Sequence, residues 1–274
     1  MAQLWRGQGV ASWRVLLEQV GRQAVAGVEE LGYAASLFGE SLYWLAVGQG
    51  RKQAVRLPAI CRETVLIGIQ AIPIISGLSL VVGIMLAIQG IETLRTFGAE
   101  SKVVIGIALS VTREFSPLIV GILVAGRSGS AITARIGTMQ ENQEIDALRV
   151  IGINPVRYLA SPVLVAMLLA VPSLTVLSDF MALMGGALFT SLKLGMNLQT
   201  YLFQTCEVLD VGDVTQGLVK SLVFAVIISM VGVSNGFQVR GGAEGVGRAT
   251  TRSVVLSISC IILADMVFTF FMNR

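Results

Sequence analysis

Five long apolar stretches, separated by polar segments, run along most of this chain and predict helices that cross a membrane. A crossing takes about 20 helical residues, because the hydrocarbon layer is about 30 Å thick. Pro73, Gly77 and Gly83 in the first stretch indicate a helix that bends or packs closely against a neighbour. The stretches cover residues 65–89, 103–125, 159–192, 217–235 and 253–272.

The N-terminal part follows a different pattern. Residues 1–27 mix tryptophan and leucine with arginine, which predicts a basic amphipathic helix in the membrane interface. Residues 31–47 are mostly apolar but contain Glu40, and we expect them to be interfacial or re-entrant. A spanning helix is the alternative, because this segment has the minimum length for a crossing. We therefore divide the chain into an interfacial segment, residues 1–60, and a membrane domain, residues 61–274.

The composition agrees with an all-α integral membrane protein. Hydrophobic residues make up 54% of the chain and charged residues 14%, whereas a soluble domain is about 25% charged. The chain has no histidine, which excludes His-based triads and HExxH zinc sites. Its three cysteines are far apart in sequence and indicate neither a disulfide framework nor a metal site. The net charge of +3 is small and scattered, so nucleic acid is not an expected partner.

The distribution of lysine and arginine predicts the orientation. Most of these residues lie in the N-terminal segment and in the segments 127–157 and 240–252. By the positive-inside rule these regions are cytoplasmic, and an odd number of spans then places the C-terminus outside. No inverted repeat is evident in the sequence, which argues against a secondary transporter.

Charged residues inside the predicted spans are candidates for function. Glu114, next to Arg113, lies near the middle of the second stretch, where a charge costs about 2.5–3.5 kcal/mol. Glu114 is either a structural ion-pair partner, for example of Lys220, or a group that lines a cavity and contacts a headgroup or tunes gating. Asp265 raises the same question, and we regard Lys220 and Asp265 as candidate polar gating residues.

A short helix is predicted at residues 139–151, between the second and third spans. Ile145, Leu148 and Ile151 recur at near-helical spacing, and Asn154-Pro155 is expected to end the helix. One interpretation is a solvated loop helix, and the other is an element that docks in a groove of a cytoplasmic partner. The polar residues around the apolar positions are Glu141, Glu144, Asp146 and Arg149.

The glycine-rich segment at residues 241–247 does not indicate a nucleotide site. It lacks the GxxxxGK[ST] pattern and a preceding strand, so a turn is the better interpretation. No other ATP-binding motif is evident. If this protein moves material with energy, we expect the energy to come from another subunit.

One block of sequence resembles a known family. The block reads REFSPLIVGILVAGRSGSAITARIGTMQENQEIDALRVIGINPVRYL and is similar to permeases of the MlaE family, the membrane subunits of MCE-type ABC lipid transporters. The run GR-x-GSA-x-TA-x-IG-x-M, followed by EIDAL, is specific to that family. Further similarity lies in IPIISGLSLVVGIMLAIQG, VKSLVFAVIISMVGVSNG and GGAEGVGRATTRSVVLS, so that residues 60–274 are covered.

The resemblance implies a permease, without cofactors of its own, that works as a dimer of identical five-span subunits in the bacterial inner membrane. A pair of cytoplasmic ATPases would bind ATP and magnesium and engage a coupling helix at residues 139–151. A STAS-domain protein and a periplasmic ring of MCE domains would complete the assembly. Phospholipid would move between the inner membrane and the MCE protein, for outer-membrane lipid asymmetry. The N-terminus would be cytoplasmic and the C-terminus periplasmic.

The resemblance also implies positions for a substrate site. Arg113 and Glu114 correspond to the family's Arg-Glu pair near an outward-facing lipid cavity, and four apolar residues would lie on its wall: Leu86, Leu94, Phe97 and Phe115. The commoner family sequence is RELGP where this chain has REFSP, so the bulk beside Glu114 differs. The alternatives are the same architecture for a sterol or an organic solvent, and a membrane scaffold that transports nothing. An intramembrane enzyme is disfavoured by the lack of histidine and of a paired-aspartate motif.

Overall fold

The protein is described by a computed structural model that covers residues 6–48 and 55–272. Every regular element in these ranges is a helix, as expected for an all-α protein. The α-helices are α1 (Arg6–Val47), α2 (Leu57–Ile67), α3 (Ile72–Arg95), α4 (Val103–Ser110), α5 (Ser116–Val124), α6 (Ser130–Glu141), α7 (Glu144–Val150), α8 (Ser161–Leu194), α9 (Leu198–Val208), α10 (Val211–Phe237) and α11 (Gly242–Met272). Short 3₁₀ and π-helical turns join several of them.

The structure confirms five candidate membrane spans. They are Leu57–Arg95, Val103–Glu141, Val156–Leu194, Val211–Phe237 and Gly242–Met272. Each span is longer than the apolar stretch that predicts it, because the helix continues into polar residues at one or both ends.

Three predicted linkers are shorter than expected. The small residues after Val124 do not end the second span, since a π-helical turn, Ala125–Gly129, joins α5 to α6 without a break. The basic loop predicted at residues 240–252 is mostly the start of α11, and the turn itself is made by Gly241 and Gly242 with φ of 99° and 69°. The link after the third span contains α9. Polar residues at the ends of spans therefore extend helices rather than form loops.

The N-terminal prediction needs a correction. The sequence predicts two separate pieces, residues 1–27 and 31–47, but α1 is one helix from Arg6 to Val47. It is not among the helices apolar enough to cross a membrane. It packs against α10, α8 and the π-helical turn Val156–Ala160. The side chains of the expected basic face, such as Arg14, lie outside the part that the structure describes.

The core is centred on the close packing of α3 against α8. A Cβ atom on Gly83 would lie 1.9 Å from the carbonyl oxygen of Ala182, and one on Gly185 would lie 2.2 Å from that of Leu80. The two backbones therefore approach to a distance that only glycine permits. A hydrogen bond of 2.8 Å between the hydroxyls of Ser79 and Ser178 lies in the same interface. Helix α10 packs against α6, α8 and α11.

Candidate functional site

The Arg113-Glu114 pair lies on a widened turn in the second span. A π-helical turn, Val111–Phe115, joins α4 to α5. Pro117, at the start of α5, has no backbone N–H and therefore cannot donate to the carbonyl of Arg113. The amide of Ser116 donates to the carbonyl of Val111, five residues earlier, which is the hydrogen bond of a π-helical turn. Turns of this kind occur often at functional sites in α-helices.

Glu114 belongs to an ionic cluster that joins three spans. The ammonium of Lys220, on α10, lies 2.7 Å from Glu114 Oε2 and 3.0 Å from Asp265 Oδ1, on α11. Lys220 also donates to the hydroxyl of Thr269 at 3.0 Å, and that hydroxyl donates to Glu114 Oε1 at 2.9 Å. The structure therefore brings Glu114 together with Lys220, which the sequence suggests as an ion-pair partner, and adds Asp265 to the pair. We call Glu114, Lys220, Asp265 and Thr269 the ionic cluster.

Arg113 has a different partner from its neighbour. Its Nε donates to Asp213 Oδ1 at 2.7 Å. The other oxygen of Asp213 accepts from the backbone N–H of Asp210 at 3.1 Å, as part of the capping box of α10. Arg113 and Glu114 thus do not pair with each other, and both are tied to α10.

A glycine allows α10 to come close enough for these contacts. A Cβ atom on Gly217 would lie 2.3 Å from the carbonyl oxygen of Thr112, in the π-helical turn. Gly217 lies one helical turn before Lys220, on the same face of α10. The backbone contact at Gly217 therefore sets the depth at which Lys220 reaches Glu114.

Sequence reasoning missed two members of the site. Asp213 pairs with Arg113, and its only local signal is the Asp210-x-x-Asp213 spacing of a capping box. Thr269 bridges Lys220 and Glu114, and nothing in the sequence around it indicates that role. Among the residues that the structure describes, no group of three or more His, Cys, Asp or Glu side chains could hold a metal ion.

The four residues expected on the cavity wall do not share one environment. Leu86 and Leu94, on α3, are partly buried and pack against the cluster formed by α3, α4, α8 and α9. Phe97, in the turn after α3, is 78% exposed, and Phe115, beside Glu114, is 37% exposed. The lipid chamber between two copies of the chain stays a prediction.

The predicted helix after the second span is real but differs in detail. Residues 139–141 belong to α6, and a turn at Asn142 and Gln143, with φ of 59° at Gln143, separates it from α7. The helix ends before Asn154, which begins the next one: its Oδ1 accepts from the amides of Val156 and Arg157 at 2.8 and 3.2 Å. Residues 154 and 155 therefore start the third span rather than stop α7.

The apolar ridge predicted on α7 is divided between the core and the surface. Ile145 is fully buried, and Leu148 is partly buried. Val150 is 87% exposed and Ile151 is 67% exposed, so the exposed apolar surface lies at the C-terminal end of α7. The predicted polar residues surround it, with Glu141 at the end of α6, Glu144 and Asp146 in the first turn of α7, and Arg149 3.0 Å from Asp146.

Helix α1 is attached to the same region. Asn154 donates to the carboxylate of Glu40 at 2.7 Å, and the indole of Trp44 donates to the same oxygen at 3.4 Å. The guanidinium of Arg157 lies 5.4 Å from the centre of the Trp44 ring. Burial raises the pKa of the Tyr33 phenol on α1, and the nearby Arg149 guanidinium opposes that shift. The N-terminal helix thus contacts the segment that connects α7 to α8.

Comparison with known proteins gives one consistent result. A family model described as Permease MlaE matches residues 60–271. A probable ABC transporter permease protein of Rickettsia typhi is 34% identical over 91% of this chain and 95% of the relative. The intermembrane phospholipid transport system permease protein MlaE of Haemophilus influenzae is 28% identical over 92% of this chain and 95% of the relative. The chloroplastic protein TRIGALACTOSYLDIACYLGLYCEROL 1 of Arabidopsis thaliana is 37% identical over 69% of this chain and 54% of the relative.

Proposed function

This chain belongs to the MlaE permease family, and from that premise we propose that it forms the path along which an ABC transporter moves phospholipid. It is a multi-pass membrane permease and not an enzyme, since ATP hydrolysis in ABC transporters belongs to a separate subunit. The phospholipid cargo is suggested by the name of the Haemophilus influenzae relative.

The observation that carries this proposal is the uneven exposure of the charged residues. The side chain of Lys220 is fully buried and that of Asp213 is 8% exposed, whereas Glu114 is 31% and Arg113 is 37% exposed. The buried partners hold Arg113 and Glu114 in place at a surface that a ligand can reach. A headgroup that enters an apolar chamber needs polar groups to replace its hydration. The guanidinium of Arg113 can bind the lipid phosphate, and the carboxylate of Glu114 can bind a headgroup amine.

A second copy of the chain would close the chamber. Phe97 and Phe115 are exposed, and Leu86 and Leu94 lie partly exposed on the neighbouring α3. Many other apolar side chains of α3 and α11 are exposed as well, for example Val81 and Phe270. We expect lipid and the second copy to cover these surfaces.

We also propose that α7 couples the permease to a pair of cytoplasmic ATPases, which would bind ATP and magnesium. Val150 and Ile151 offer an exposed apolar contact beside charged residues, as a helix that docks in a partner's groove requires. Movement of α7 would pass into the second span through α6 and into the third through the turn at Asn154. This places the α7 end of the bundle in the cytoplasm, in agreement with the positive-inside rule.

The remaining partners follow from the family resemblance. We propose that the transporter lies in the bacterial inner membrane and includes a STAS-domain protein on the cytoplasmic side. A ring of MCE domains would receive or deliver lipid on the periplasmic side, in support of outer-membrane lipid asymmetry. The N-terminus would then be cytoplasmic and the C-terminus periplasmic.

The test is to measure the lipid held by the purified transporter in detergent, by mass spectrometry, for wild type, Glu114→Gln and Glu92→Gln. Glu92 is an exposed carboxylate on α3 outside the ionic cluster and serves as the control. Phospholipid occupancy should fall several-fold in Glu114→Gln and stay at the wild-type level in the control. Wild-type occupancy in Glu114→Gln would make Glu114 a structural residue. Recovery of a sterol or an organic solvent in place of phospholipid would identify a different cargo.

A further inference from the structure

Three adjoining cavities lie along the cleft between α2–α3 and α5–α6. The first, about 370 Å³, is lined by Arg56, Arg62 and Tyr158 among others. The second, about 320 Å³, shares Glu63 and Arg135 with the first. The third, about 270 Å³, shares Arg127 with the second. Since each cavity shares wall residues with the next, they lie in a row, and we call the row the α2–α6 cleft.

The chemistry of the α2–α6 cleft changes along its length. The end at Arg56 and Arg62 is basic, and Tyr158 lies 5.9 Å below the Arg56 guanidinium. Beyond Arg127 the lining is apolar, with Ile75 and Leu123 among the residues of the third cavity. A cleft with a charged end and an apolar end matches an amphiphile better than a small polar molecule.

Among residues 6–48 and 55–272, few carboxylates oppose the positive charge of the cleft. Arg135 pairs at 2.7 Å with Glu63, the one acidic residue among the described residues of the walls. Arg127 donates to the side-chain oxygen of Gln70 at 2.9 Å, and no carboxylate of the described residues lies within ion-pair distance of it. Within the described residues, neither Arg56 nor Arg62 forms an ion pair. In the part of the chain that the structure describes, three arginines thus face the cleft without a carboxylate, and guanidinium groups bind phosphate well.

The dimensions fit one leaflet of a membrane. Ile122 and Arg135, near opposite ends of the cleft, are 13 residues apart in sequence, which is about 20 Å along a helix. Half of a hydrocarbon core is about 15 Å thick, and the headgroup region adds to that. Glu114 lies a further eight residues beyond Ile122, about 12 Å along the helix. The cleft is therefore separate from the ionic cluster.

We propose that the α2–α6 cleft binds one anionic phospholipid from the leaflet at the α6–α7 end of the bundle. The phosphate lies at Arg56 and Arg62, beside the Arg135–Glu63 ion pair, and an acyl chain passes Arg127 and follows the apolar part of the cleft toward Ile75. Basic pockets between membrane helices are known to select anionic headgroups in this way. The proposal does not rest on the cargo of the transporter, because this lipid lies at a different place from Glu114.

The test compares lipid binding to the full-length permease in detergent, by native mass spectrometry, with phosphatidylglycerol and phosphatidylcholine as probes. The variant is Arg56→Ala with Arg62→Ala, because both side chains are exposed and their loss breaks no ion pair among the described residues. The matched control is Lys102→Ala with Lys193→Ala, which removes the same charge at the other end of the bundle from two exposed side chains that form no ion pair among the described residues. Inorganic phosphate is added as a competitor.

The expected result has three parts. Phosphatidylglycerol binds more tightly than phosphatidylcholine, its affinity falls about tenfold or more in the Arg56/Arg62 variant, and the control binds like wild type. An equal loss of phosphatidylglycerol affinity in the control, or no loss in the Arg56/Arg62 variant, would show that the cleft is not a lipid site. Displacement of phosphatidylglycerol by millimolar phosphate would show a site for free anions instead of lipid. Disulfide trapping of two copies through Ala131→Cys, in a chain without its native cysteines, would show that a second copy fills the cleft.

Discussion

Lys220 Nζ lies 2.7 Å from Glu114 Oε2, although 106 residues separate the two in sequence. The same ammonium lies 3.0 Å from Asp265 Oδ1, so one buried cation faces two carboxylates on two other helices. An isolated buried charge is costly, whereas a paired and hydrogen-bonded one is tolerated. The contacts of Lys220 with Glu114 and Asp265 therefore hold the second, fourth and fifth spans in one arrangement.

Removal of Lys220 should destabilise the bundle. Lys220→Met leaves Glu114 and Asp265 close together without a cation, and the loss of one partner of a buried pair costs about 3–5 kcal/mol. The double variant Lys220→Met with Glu114→Gln should recover part of that loss, because one unpaired charge is removed. Thermal unfolding in detergent measures both. If Lys220→Met unfolds at the wild-type temperature, the cluster contributes nothing to stability.

Close packing between α3 and α8 should tolerate no side chain at Gly83. A methyl group there would lie 1.9 Å from the backbone oxygen of Ala182, and backbone cannot move aside as a flexible side chain can. We expect Gly83→Ala to destabilise the protein by about 3 kcal/mol. Gly77→Ala is the control, because a methyl group on Gly77 meets no atom within 4 Å. Similar unfolding temperatures for the two variants would contradict the close approach.

A charge at the exposed end of α7 should disrupt coupling without harm to the fold. Val150→Asp replaces a side chain that is 87% exposed, so the permease should still fold. We expect the ATPase to dissociate, or its lipid-stimulated activity to be lost. Leu148→Asp should act in the same direction, and Ile145→Asp should instead unfold the region, since Ile145 is fully buried. Co-purification of Val150→Asp and Leu148→Asp with a normally stimulated ATPase would exclude α7 as the coupling element.

Asn154 should hold α1 against the bundle as well as cap a helix. Asn154→Asp keeps the oxygen that accepts from the amides of Val156 and Arg157, but it replaces the donor to Glu40 by a second carboxylate. Hydrogen exchange in α1 should therefore increase at neutral pH, while the start of the third span stays protected. Asn154→Asp with Glu40→Gln should restore protection, since the amide can donate to the new carboxylate. Unchanged exchange in the single variant would show that the contact to Glu40 is not needed.

The sequence alone was enough to predict the membrane class and the number of spans. Apolar stretches such as residues 217–235 are too long for a core strand of a soluble protein and too poor in charge for a surface helix. The hydrophobic effect therefore favours a helix that crosses the membrane. The ends of the elements were less predictable. Residues 240–252 are polar and glycine-rich, yet most of them continue α11, because a helix can extend into water once its apolar part is fixed.

Only the tertiary structure decided which charges meet. Glu114, Lys220 and Asp265 each stand out as charges within apolar stretches, but nothing local says that Lys220 lies between the two acids or that Thr269 bridges two of them. Arg113 and Glu114 are adjacent, yet consecutive helical residues point about 100° apart, and each found its own partner. Periodicity likewise predicted a short helix with Ile145, Leu148 and Ile151 on one side. Packing against the rest of the bundle determined that Ile145 is buried and that Ile151 is exposed.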